Sequence, residues 1–110
     1  MKTIYDMLIS EKSGVAVRAI CFCVANGRPA AEEIQAIQNL IDGPNRNERI
    51  ANRPMFAYAR AALHVLGTEV YDGTDMDIID AIIMLTCKEN LEDMRSCDEY
   101  KMIYSSKNGA

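Results

Sequence analysis

Five cationic or titratable side chains form the one arrangement in this chain suited to chemistry: Arg46, Arg49, Arg53, Arg60 and His64. If helical spacing holds from Asn45 onward, they fall at i, i+3, i+7, i+14 and i+18, close to one face, with small Ala57 filling the gap. Guanidinium forks pair bidentately with phosphate or carboxylate. Asn45, Asn47 and Asn52 add neutral hydrogen-bonding groups. Such a stripe would hold nucleic acid, a nucleotide or an acidic protein surface. Two features work against it. Pro54 interrupts the common face, and the acidic run Asp72–Asp80 offers the same arginines partners within the chain.

Catalysis has less to draw on. His64 is the only histidine, and its neighbour one helical turn earlier is the cation Arg60, whereas a catalytic imidazole is normally oriented by a carboxylate. No Gly-x-Ser-x-Gly, Walker loop or His-Glu-x-x-His is present. His64 is therefore read as a structural side chain, and the protein as a non-enzyme without a cofactor. Cys21 and Cys23 are two apart, so on a helix they point away from each other rather than converging on zinc. With Cys87 and Cys97 they are expected to be reduced thiols, because no secretory signal precedes them. Asp75, Asp77 and Asp80 lack the Asp-x-Asp-x-Asp-Gly order of a calcium loop. Their expected role is to complement the positive end of a helix. No metal site is expected.

The elements that would carry these residues read as helices. Arg53–Gly67 (RPMFAYARAALHVLG) places Met55, Ala59, Ala62 and Leu66 on one line, with Phe56 and Leu63 beside it. That stripe is wide enough to be packed from several sides, which makes residues 54–66 the central helix. Before it, Thr3 caps a short helix with Ile4, Met7 and Leu8 inward. Ser10 or Ser13 opens a second element in which Val17, Ile20, Cys21 and Val24 recur with helical spacing up to Asn26-Gly27. Val15–Val24 is rich in β-branched residues, so a buried strand also fits its composition; helix is the preferred reading. A third helix starts at Arg28-Pro29, carries Ile34, Ile37, Leu40 and Ile41, and ends at Asp42-Gly43-Pro44. Asn45–Asn52 reads as a loop or frayed turn. After Gly67, Thr74 with Asp77 marks a capped start for a helix with Ile78, Ile79, Ile82, Ile83 and Leu85. A final helix is expected from about Glu89 to Tyr104. The fold class is all-α, an irregular bundle of about five short helices forming a single domain over 1–104, with a flexible tail over 105–110.

Composition narrows function further. The chain has 110 residues, 49% hydrophobic and 25% charged, which suits one folded domain and argues against general disorder. Residues 1–67 carry eight Lys/Arg against six Asp/Glu, and residues 68–110 carry four against ten. An acidic chain attracts nucleic acid only through a local patch, and the arginine stripe is that patch. No apolar run of membrane-spanning length and no signal peptide is seen, so a soluble, cytoplasmic protein without a membrane partner is expected. The expected function is a small intracellular protein-binding module. Its type would be a regulator or inhibitor, such as phages and mobile elements encode, acting by occupying a partner protein's surface. The alternative is a nucleic-acid or nucleotide binder using Arg46–Arg60. A homodimer is also expected, because five short helices leave apolar area on Ile78–Leu85 and Phe56–Leu66 for a second copy; burial would supply most of its affinity, and Arg46–Arg60 of one copy meeting Asp72–Asp80 of the other would set the register.

Overall fold

In the computed structural model, which describes residues 3–107, apolar residues at helical spacing fold as the sequence directs. The described residues form seven helices and one two-stranded hairpin: α1 (Ile4–Leu8), α2 (Ser13–Asn26), α3 (Ala31–Ile41), β1 (Arg49–Ile50), β2 (Arg53–Pro54), α4 (Met55–Val65), α5 (Met76–Thr86), α6 (Lys88–Ser96) and α7 (Asp98–Lys107). The protein is an irregular all-α bundle.

Caps set several of the boundaries. The Thr3 hydroxyl accepts the Asp6 N–H at 3.1 Å while the Asp6 carboxylate accepts the Thr3 N–H, a reciprocal arrangement that closes the first turn of α1. Residues 15–24 lie within a 14-residue helix, and α2 stops where Gly27 turns left-handed at φ +76°, donating its N–H to the Cys23 carbonyl at 2.9 Å. Glu33 folds back to accept the Ala30 N–H at 3.0 Å and so closes the start of α3 from a buried position. The N-cap of α5 is Asp75 rather than Thr74: its Oδ1 accepts the N–H of Asp77 at 2.9 Å and of Ile78 at 3.3 Å.

Two helices form the interior. In α4, Met55, Ala57, Tyr58, Ala59, Ala61, Ala62 and Leu63 are buried, and the alanines let α3 and α5 approach it closely. In α2 all but four of fourteen residues are buried, with Phe22 fully inside. The single helix expected over 89–104 is two. Cys97 adopts an extended conformation (φ −70°, ψ 137°) between α6 and α7, and its carbonyl accepts the Lys101 N–H as the first bond of the new helix. The α7 helix continues through Ser105–Lys107, where a flexible tail was expected; positions 108–110 of that tail lie outside the described residues. No disulfide joins any of the four cysteines among the described residues. No helix of the described residues is long and apolar enough to cross a membrane.

Candidate functional site

The arginine segment is not helical. Gly43-Pro44 ends α3, residues 44–47 form a turn, and the chain then reverses through Ala51 (φ 52°) and Asn52 (φ 69°), so that Arg49 faces Pro54 and Ile50 faces Arg53 across an antiparallel pair. Two successive residues with positive φ make the tight reversal that suits twisted strands. The segment has a structural task. Its carbonyls fold back over the amino end of α4, with the Met55 N–H donating to the Glu48 carbonyl at 2.9 Å and the Phe56 N–H to the Arg46 carbonyl at 3.0 Å. Pro54, at the N-cap, has no N–H to satisfy.

The five expected residues are therefore spread over a turn, two strands and a helix, and the single helical face assumed for them does not exist. Arg46 lays its guanidinium over the Phe56 ring, 4.8 Å from the centroid, and donates Nε to the Ile41 carbonyl at 3.0 Å. Arg49 donates to the Asn52 carbonyl and lies 3.7 Å from the Asp77 carboxylate. Arg53, only 19% exposed, donates Nε to Asp80 Oδ2 at 2.5 Å and Nη1 to the Ala51 carbonyl and to the Tyr58 hydroxyl. The Tyr58 hydroxyl, then burial acting in the opposite sense, then Asp80 leave that guanidinium above its ordinary pKa, so it is always charged. Arg60 is 3.9 Å from Glu69. Charge complementarity between the two halves of the sequence is thus realised within one chain, and Arg49 and Arg53 make the intrachain pairing with Asp72–Asp80 that the sequence offered. The exposed pairs Arg49–Asp77 and Arg60–Glu69 contribute about 0–1 kcal/mol each, and Arg49–Asp77 together with Arg53–Asp80 ties α5 to the hairpin.

His64 stands apart from the arginines' partners. It is half-buried, and its Nδ1 accepts the backbone N–H of Tyr71 at 3.0 Å. The Tyr71 hydroxyl in turn accepts the Asp75 N–H at 2.6 Å. His64 and Tyr71 therefore hold the connection between α4 and α5 in place. This is a structural use of the imidazole acceptor. Among the described residues no cluster of three His, Cys, Asp or Glu side chains is arranged to hold a metal ion.

The outer face of α5 belongs to the stretch Ile78–Leu85 that a bundle of short helices was expected to leave partly uncovered. Ile78, Ala81 and Leu85 point inward and are buried, whereas Met76 and Ile83 are 72% and 62% exposed, with half-buried Ile79 between them at i+3. Asp77 and Asp80, already neutralised by Arg49 and Arg53, border the stripe, and Val70 stands 88% exposed in the preceding connection. A helix bearing five Ile/Leu side chains within eight residues is apolar nearly all round and calls for partners on more than one side. Comparison of the chain with protein families, with curated proteins and with solved structures finds no match.

Proposed function

We propose that this protein is a small protein-binding module that acts by occupying a partner protein's surface, as a regulator or inhibitor does. The observation that carries this reading is the outward stripe Met76–Ile79–Ile83 on α5, apolar on its ridge and bordered by ion pairs that cancel each other's charge. An eleven-residue helix is about 16 Å long. That length matches one amphipathic helix of a partner laid along it. The use of His64 as a backbone acceptor supports binding over catalysis. A second copy of the chain could meet the same stripe, which gives the homodimer a hydrophobic interface rather than an electrostatic one.

The test is a paired substitution on exposed positions, Met76→Glu with Ile83→Glu. Both side chains are in solvent, so the unfolding free energy should change by no more than about 0.5 kcal/mol. Affinity capture from a host lysate, with and without nuclease, should retain a partner protein on the wild-type chain and lose it on the double variant. Light scattering at micromolar concentration should show a species above 12.3 kDa that the double variant returns to one chain. Capture that is sensitive to nuclease and salt, and that is lost instead on Arg49→Ala with Arg60→Ala, would replace this reading with the nucleic-acid one.

A further inference from the structure

A cleft of about 270 Å³ opens where α1 and the start of the α1–α2 connection meet the carboxyl end of α3. Its floor is apolar: Leu8 and Ala36 are buried, Leu40 is half-buried, and Ile9 stands 56% exposed at the lip. Its rim is electronegative for two separate reasons. Glu11 is the one charged residue among those lining it. Beside it, α3 ends without a backbone cap: among the described residues no N–H beyond Ile41 donates to the carbonyls of Gln38, Asn39 or Leu40. Uncapped carbonyls concentrate the negative end of the helix dipole. The chain already answers part of this demand with a cation of its own, since Arg46 Nε sits on the neighbouring Ile41 carbonyl at 3.0 Å. Arg46 is otherwise engaged with the Phe56 ring and donates Nη1 to Asn47 Oδ1 at 3.2 Å. The Lys12 ammonium next to Glu11 is exposed, and Lys12 is not among the lining residues.

An apolar floor under an anionic rim suits a cation on an aliphatic stem, with methylenes on the floor and the charged head at the rim. The volume is at the lower limit of ligand pockets and accommodates one side chain rather than a whole cofactor. We propose that this cleft is a docking site for a lysine or arginine side chain in an extended basic segment of a partner protein, distinct from the α5 stripe. The two surfaces are separated by α4, which packs against both α3 and α5.

The test is a titration of the ¹⁵N-labelled chain with the peptide acetyl-Leu-Lys-Leu-amide and with its isostere carrying norleucine in place of lysine. Shift changes are expected to cluster at Ile9–Glu11 and Asn39–Asn45, with the lysyl peptide binding about fivefold more tightly. Glu11→Gln should remove most of that difference. Asn45 is held by the Glu11 backbone carbonyl, not by its carboxylate, so this variant leaves the local fold intact. Equal binding of the two peptides, shifts elsewhere, or none at millimolar peptide would overturn the proposal. Binding of n-butylammonium as tight as that of the lysyl peptide would overturn its assignment to a protein segment. The α5 double variant should bind the lysyl peptide unchanged, so failure here and failure of the α5 reading are distinguishable.

Discussion

Tyr58→Ala is expected to lower the unfolding free energy by about 3–5 kcal/mol, a large part of the roughly 5–15 kcal/mol available to a domain of this size. Tyr58 is 1% exposed at the inner face of α4, and its hydroxyl donates to the Ile50 carbonyl at 2.7 Å while accepting from Arg53 at 3.4 Å. One side chain thus joins the core to the hairpin that caps α4. Removing the ring leaves a cavity between packed helices. Tyr58→Phe keeps the ring and leaves the Ile50 carbonyl without that donor, and should cost about 1–3 kcal/mol. Urea denaturation followed by circular dichroism measures both. If the phenylalanine variant proved as unstable as the alanine one, the hydrogen bond rather than the ring would be the anchor. If neither lost stability, the hairpin would not depend on α4.

Alkaline unfolding is the second large effect. Burial pushes the Cys21 thiol up to about 11, against a smaller opposing pull from Arg18. The Tyr104 phenol is also raised, first by burial and then by the nearby Cys23 and Glu33. Both groups bind their protons more tightly folded than unfolded, so their contribution is fully present below the unfolded values near 9 and 10 and falls as pH rises. Cys21 alone should remove about 2–3 kcal/mol between pH 9 and 11, with Tyr104 adding to the loss above pH 10. Chemical denaturation at stepped pH reads the slope. Cys21→Ala, which has no proton to lose, should flatten the slope between pH 9 and 10.5; an unchanged slope would assign the loss to other groups.

What could be read in advance follows the range of each signal. The central helix, the Gly27 stop and the Thr3 cap depend on residues three or four apart, and these are in the structure as the sequence implied. The hairpin was missed because its strands have two residues each and its reversal uses Ala51-Asn52, which lacks the glycine that usually marks such a turn. The break at Cys97 has neither glycine nor proline. Its only mark is the acidic pair Asp98-Glu99, which suits a helix start as well as it suits a wet face. For the arginines, residue type and the acidic segment Asp72–Asp80 that could pair with them were legible, whereas the choice between that pairing and an outside ligand was not. Spacing counted along one helix cannot show that Asp77 and Asp80, some 27 residues later, come within reach of Arg49 and Arg53.

The helix α2 is covered by elements that follow it at long range. Tyr100 packs its ring edge-on to Phe22 at 5.8 Å, Arg95 donates to the Ala25 carbonyl at 2.9 Å, and Arg18 reaches Glu99 at 2.7 Å and the Cys97 Sγ at 3.2 Å. During synthesis, α2 therefore leaves the ribosome about sixty residues before α6 begins. At roughly 5–20 residues per second, that leaves Phe22 without its lid for several seconds. Over that interval the nascent chain presents an apolar, alanine-rich helix to whatever binds such surfaces, so chaperone capture competes with folding until α6 and α7 emerge.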